Sequence, residues 1–267
     1  MEGLQVPGRA NEEKLTGGNV TSVYRIGDTV RRELNPNSSK IHKLLKHLEN
    51  KGFSYAPRFL GIDDNGREIL TYIDGEAGND PLKDYMWSNE ALKEIARMLR
   101  QYHDAVSDFP MDDWEPLDNT PENPEVLCHN DFARYNIIFK DKVPAGIIDF
   151  DAAGPGPRIW DIAYTIYTCV PISRFHLSEA GEKVYYEPLL DATRIKQRVK
   201  LFFEIYGESI EEDFLEVLMQ RLEGLCKTIK RKAAQGDAAF LKMIDDGHLE
   251  LYQNDIMFID NHGKDWI

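Results

Sequence analysis

The sequence predicts an α+β molecule in two lobes, an antiparallel β-sheet N-lobe over residues 1–73 and a mainly helical C-lobe over residues 74–267. Three observations carry this. From Val20 to Ile73 the chain consists mostly of short β-rich runs separated by turn dipeptides. Beyond Asp74-Gly75 apolar residues recur at helical spacing. One β-rich island, VLCHNDFARYNIIFKDKVPAGIIDFD from Val126 to Asp151, interrupts those helices and concentrates acidic and amide side chains.

In chain order, VTSVYRI, the turn Gly27-Asp28 and TVRREL form a first hairpin; RFLGID, the turn Asn65-Gly66 and EILTYI form a second. Between them lies a helix capped by Ser38 or Ser39, with Ile41, Leu44, Leu45 and Leu48 on one face and Gly52 as its stop. Ser88 caps the next, whose Leu92, Ile95, Ala96, Leu99 and Tyr102 form an apolar stripe. A further helix is expected from Ser209, turning Ile210, Phe214, Val217, Leu218, Leu225 and Ile229 inward. Glu211, Glu212 and Asp213 at its start and Lys230, Arg231 and Lys232 at its end match the macrodipole. A gap between two lobes is the usual place for a small-molecule site.

Thirty-two basic against 46 acidic residues give a net charge of -14, which argues against nucleic acid or an anionic membrane as partner and favours a cationic small molecule. Cys128, Cys169 and Cys226 are too few and too far apart for a disulfide framework or a paired zinc site, as suits a reducing cytoplasm. The opening MEGLQVPGRANEEKL has no signal-like apolar run, and no segment approaches the roughly 20 apolar residues of a membrane span. The expectation is a cytoplasmic protein; the sequence sets no oligomeric state.

Asn136 opens the apolar run IIFK and Asp149 closes GIID. A hairpin centred between Lys142 and Val143 sets the two opposite one another on one face, an amide oxygen beside a carboxylate. Hard oxygens of this kind suit Mg²⁺. Asp131, on the loop just before, is placed to accept a proton from an attacking hydroxyl.

The spacing resembles the catalytic and metal loops of the protein-kinase-like fold, where His-x-Asp-x-x-x-x-Asn is followed by an Asp at the end of the next strand. Here the segments read His129-Asn130-Asp131-Phe132-Ala133-Arg134-Tyr135-Asn136 and Ile147-Ile148-Asp149-Phe150-Asp151. Trp160-Asp161-Ile162-Ala163 is similar to the helix start that follows in the aminoglycoside phosphotransferases and their choline- and homoserine-kinase-like relatives. Element order matches over almost the whole chain, the specific motifs only from about Leu127 to Tyr164.

The resemblance implies transfer of a phosphoryl group from ATP or GTP to the hydroxyl of a small molecule, aminoglycoside-like first. It implies Asp131 as base, Asn136 and Asp149 as Mg²⁺ ligands, and His129 and Asp161 as supports of the loop. It also implies that Tyr72 and Ile73, in the connector between lobes, offer backbone groups to the adenine edge, and that Gly17-Gly18-Asn19 covers the phosphates. By strand alternation Arg32 takes the position of the usual phosphate-binding Lys, and the neighbouring helix offers His42 rather than the usual Glu partner. Asp151 stays open between a supporting carboxylate and a cap or loop residue.

Glu204, Glu208, Glu211, Glu212, Asp213 and Glu216 could attract a polyamine, and Trp160, Tyr164, Tyr167, Tyr185 and Tyr186 could stack on an acceptor; a solvated helix face and core aromatics explain both groups as well. The alternative function is a nucleotide-binding pseudokinase, which the Arg32 and missing-Glu departures favour and intact Asp131, Asn136 and Asp149 oppose. His103-Asp104 with His129 would suit a metal-dependent phosphohydrolase, but the β-rich opening argues against that helical class. His42 and His47 lack the i, i+4 spacing of a zinc pair.

Overall fold

The computed structural model describes residues 12–15 and 22–267. A five-stranded antiparallel sheet comes first: β1 (Glu13–Leu15), β2 (Val23–Ile26), β3 (Thr29–Arg32), β4 (Phe59–Ile62) and β5 (Glu68–Thr71), in the order β1-β2-β3-β5-β4. Helix α1 (Ser38–Asn50) runs between β3 and β4 and buries Ile41, Leu44, Leu45 and Leu48, the face its spacing predicts. Its N-cap is Asn37, one residue before the expected serines; Ser38 is already helical and its hydroxyl accepts the Asn35 N–H instead. Gly52, at φ +75°, ends it in the left-handed region that glycine enters without a Cβ clash.

The chain then becomes helical around one embedded sheet. Strand β6 (Glu76–Ala77) leads to α2 (Asn89–Ala105), whose first turn is capped by the Ser88 hydroxyl accepting the Ala91 N–H at 3.1 Å. β7 (Val126–Cys128), β8 (Ile137–Lys140), β9 (Val143–Ile147) and β10 (Gly154–Gly156) follow; β6, β8 and β9 make a three-stranded sheet, and β7 pairs with β10. The rest is α3 (Arg158–Cys169), the hairpin β11 (Phe175–Leu177) and β12 (Lys183–Tyr185), then α4 (Pro188–Tyr206), α5 (Phe214–Ala234), α6 (Ala238–Asp245) and α7 (His248–His262). One continuous core joins α1 and β5 to α2, β7, β8, α3, α4 and α5. Among the described residues no helix is long and apolar enough to cross a membrane.

Two expectations are corrected. Helix α5 starts at Phe214, not Ser209: Gly207, at φ +93°, terminates α4, and 208–213 form the connection, with the acidic triplet ahead of the helix rather than in its first turn. The apolar spacing of Ile210 and Phe214 is helical by coincidence. The β8–β9 hairpin is centred between Asp141 and Lys142. Both residues have positive φ (51° and 66°), as a two-residue turn of the twisted type requires, so Lys140 pairs with Val143. A bulge between Ile138 and Phe139 then shifts the register, and the Asn136 carbonyl accepts the Ile148 N–H at 2.9 Å. Asp149 therefore lies one residue past the ladder instead of opposite Asn136.

Candidate active site

The loop after β7 is held from beneath by one buried carboxylate. Asp161, in the first turn of α3 with no exposed surface, accepts the backbone N–H of His129 and of Asn130, each at 2.7 Å, and faces His103 Nε2 at 3.0 Å. His103 in turn meets the Tyr206 hydroxyl at 2.7 Å, so α2, α3, α4 and β7 converge at this point. Burial alone raises the Asp161 pKa; the His103 hydrogen bond, the closeness of the two imidazoles and the His129 N–H outweigh it and leave the carboxyl below its ordinary value. Burial pushes His129 down, so it stays neutral and its Nδ1 accepts the Asp131 N–H at 3.2 Å. Ligand atoms of His103, Cys128 and Asp161 lie within 4.8 Å of one another. The cluster is a structural knot: the Asp161 oxygens are already occupied by N–H donors, and burial first, then the Asp161 charge, keeps the Cys128 thiol protonated.

Asn130 takes φ +64°, which swings the chain so that Asp131 points out of the loop. Both Asp131 oxygens are engaged: Oδ1 accepts the Tyr135 hydroxyl at 2.6 Å and Oδ2 accepts Asn136 Nδ2 at 2.8 Å. Asn136 Nδ2 also donates to the Asp131 carbonyl at 3.0 Å, so the amide nitrogen is spent on Asp131 and Oδ1 is the atom that could serve a ligand. Burial raises the Asp131 pKa, against the opposing pull of Tyr135, His129, Asn136 and Arg221. A carboxylate lifted this way is a better proton acceptor than an exposed one.

Asp149 sits at φ +65°, and this left-handed step turns its carboxylate out of the ladder towards β3. Although the side chain is 48% exposed, the packing around it, then the charges of Asp151 and Asp131, push its pKa up to about 6 against the pull of Arg32. The donor set fits a hard divalent cation: the Asn136 amide oxygen, the Asp149 carboxylate, and a second carboxylate charge at Asp131 close enough to be felt.

Arg32 reaches this edge from β3. Its Nε bonds Glu68 Oε1 at 2.5 Å, its two Nη atoms grip Asp151 at 2.9 and 3.1 Å, and Asp149 Oδ1 lies 3.7 Å away. Asn35 Nδ2 adds a third bond to Asp151 at 3.0 Å. Glu68 is fully buried on β5, directly across the ladder from Arg32, and its other oxygen meets His42 Nε2 at 2.6 Å. A carboxylate partner for Arg32 thus exists on the neighbouring strand, with His42 on α1 behind it.

In the connector, the Tyr72 N–H is taken by the Asp28 carbonyl at 2.9 Å, and the Arg25 guanidinium covers the Tyr72 ring at 3.9 Å. Among the described residues, the Tyr72 carbonyl and the Ile73 backbone make no backbone hydrogen bond. The Ile73 side chain packs so close to β9 that a Cβ at Gly146 would meet its Cδ1 at 2.8 Å. Gly17-Gly18-Asn19 lies outside the described residues.

Arg221, from the buried face of α5, donates Nη2 to the Asn130 carbonyl at 2.5 Å, and its guanidinium lies 4.4 Å from the Tyr164 ring and 5.4 Å from that of Trp160. Arg221, Glu68 and Tyr135 are contributions that sequence reasoning missed. Each left a faint signal: a lone base in the apolar stripe of a helix, a lone acid opening an apolar strand, and a phenol inside the loop motif. Of the aromatic candidates, Tyr164 touches the site through Tyr135, hydroxyl to hydroxyl at 3.0 Å, and Tyr167 stacks on Tyr164 at 6.1 Å; Tyr186 packs against Trp266 and Phe258. The acidic run from Glu204 to Glu216 is exposed around the α4–α5 connection.

Residues 117–194, which contain His129, Asp131, Asn136, Asp149 and Asp161, match the profile of the phosphotransferase enzyme family. The chain is 40% identical over 203 residues to the trifolitoxin immunity protein of Rhizobium leguminosarum bv. trifolii, covering 73% of this chain and 74% of that one. In fold it resembles the GDP complex of aminoglycoside 2'-phosphotransferase-IIIa, with a TM-score of 0.60 at 15% identity over 92% of both chains. It also resembles an amicoumacin kinase bound to AMP-PNP and Ca²⁺, with a TM-score of 0.60 at 14% identity over 88% of both. With motif, architecture and a 40% identical relative in agreement, the chain belongs to the phosphotransferase enzyme family and has the aminoglycoside-phosphotransferase-like fold.

Proposed function

We propose that this protein transfers the γ-phosphoryl group of ATP or GTP, with Mg²⁺, to a hydroxyl of a small, cationic, aminoglycoside-like molecule. In this reading residues 1–73 hold the nucleotide and 74–267 carry the chemistry and the acceptor. The observation that carries it is Asp131 itself, a loop carboxylate with a raised pKa, pinned on both oxygens by Tyr135 and Asn136. The acceptor oxygen attacks the γ-phosphorus, the bond to the bridging oxygen breaks, the nucleoside diphosphate leaves, and Asp131 takes the hydroxyl proton. Bound Mg²⁺, held by Asn136 and Asp149, supplies charge neutralisation to the phosphate oxygens. Arg32 contributes a guanidinium fork to the phosphates, and the Tyr72 carbonyl and Ile73 backbone read the base.

A net charge of -14 favours a cationic acceptor, and the structural relatives include an aminoglycoside 2'-phosphotransferase and an amicoumacin kinase. The immunity named in the trifolitoxin relative suits a protective role by the same chemistry. A second reading, nucleotide binding without transfer, is favoured by the engagement of Arg32 with Asp151. The deciding experiment incubates the protein with ATP or GTP, Mg²⁺ and a panel of aminoglycosides and other hydroxylated antibiotics, and reads phosphorylated products by mass spectrometry. A product gained by wild type and lost in Asp131→Asn supports transfer. Nucleotide-dependent thermal stabilisation with no product from any acceptor, unchanged in Asp131→Ala, supports the second reading.

A further inference from the structure

The Arg32 guanidinium is shared between two carboxylates of different character. Glu68 is fully buried, directly opposite Arg32 in the β3–β5 ladder, and braced on its far oxygen by His42, whose ring is stacked on Phe59 at 3.7 Å. Nothing in that arrangement can leave without unpairing a buried charge, which is costly. Asp151 is different. Its carboxylate is partly exposed at the loop after Asp149, and it takes both Nη atoms side by side, the two-pronged geometry that a guanidinium also offers to phosphate oxygens. Asp149 and Asp151 are held together as like charges, each within reach of the same cation.

We propose that Glu68, braced by His42, is the positioning residue for Arg32, and that Asp151 is an internal stand-in for nucleotide phosphate. Arg32 keeps its Nε on Glu68 throughout, while its Nη pair exchanges the Asp151 carboxylate for phosphate oxygens. The inference rests on the phosphotransfer reading and adds to it the reason an Arg serves at this place. Arg has a third N–H to spare for a permanent anchor, which the single point charge of a Lys does not combine with a two-pronged grip. It also gives Asp151 a role: it competes with the ligand for Arg32.

Competition and anchoring have opposite signs, and binding without divalent cations separates them. Tripolyphosphate and ATP are titrated in EDTA by calorimetry into wild type, Asp151→Asn, Glu68→Gln and His42→Gln, with melting temperatures recorded for each. Removing the competitor should tighten both ligands about tenfold in Asp151→Asn, and removing the anchor should weaken both about tenfold in Glu68→Gln. His42→Gln should weaken them by a smaller factor, and it supplies the anchoring arm should Glu68→Gln fail to fold. A purely structural role for these contacts would lower melting temperatures without tightening any ligand. Unchanged or weaker binding in Asp151→Asn, or unchanged binding in the anchor variants, overturns the inference while leaving phosphotransfer standing. A folded wild type that binds neither tripolyphosphate nor ATP, even with Mg²⁺ restored, overturns both.

Discussion

In the proposed role, Asp131 would couple chemistry to stability through its environment. Its pKa is raised mainly by burial, so the unfolded chain releases this proton at lower pH than the folded one, and at neutral pH the ionised carboxylate works against folding. Asp131→Asn should therefore leave the melting temperature unchanged or higher. Turnover should fall by about 10²–10⁴-fold, the usual contribution of a positioned base, with nucleotide affinity nearly intact. A thermal melt beside a steady-state assay checks both, and full activity would remove Asp131 from the role. Arg221 should behave in the reverse sense. Replacing it with Leu strips the Asn130 carbonyl of its charged donor and should cost about 1–3 kcal/mol of stability. Urea unfolding and a kcat loss larger than any change in nucleotide KM would show both effects. The loop motif itself was readable because its spacing is local. The bond of Arg221 to Asn130 was not, because it joins residues 91 apart and a lone base on an apolar helix face reads equally well as a side chain stretching to water.

Elements that depend on short-range rules came out as the sequence indicates: the Ser88 cap, the α1 face, the Gly52 stop. Ser88→Ala should cost about 1 kcal/mol, measured by chemical denaturation. Elements set by register did not. The β8–β9 turn had to be placed by which two residues adopt positive φ, and Asp and Lys give a weaker signal for that than Asn-Gly would. The bulge beyond it leaves no mark in the apolar pattern. Helix α5 packs hard against a loop at Gly224. A Cβ on Gly224 would lie 2.2 Å from the Asp118 carbonyl, and Gln220, Thr228 and Arg231 bond the same loop on either side. Gly224→Ala must push that loop away, at a cost of about 1–3 kcal/mol on urea unfolding; no change would mean the loop yields freely.

On the scale of the whole molecule, Asp161 is where the helices and the catalytic loop are joined, and it gives the fold an acid limit. Its pKa is held below the unfolded value of 3.8, so its contribution is present above that pH and is lost as pH falls through the lower folded value. Denaturation midpoints followed downward from pH 6 should fall steeply below about pH 4 in wild type, and start lower but decline less in Asp161→Asn. Parallel curves would assign the acid limit to other carboxylates. The sheet-then-helix order was legible from pattern alone. The pairing of β3 with β5 across an intervening helix and strand was not, and with it Glu68 was missed. That pairing has its own consequence. Kinases that keep the partner carboxylate on a swinging helix can be switched off by tilting it. Here the acid and the guanidinium face one another on a single rung of a hydrogen-bonded ladder, so no rocking of α1 can part them.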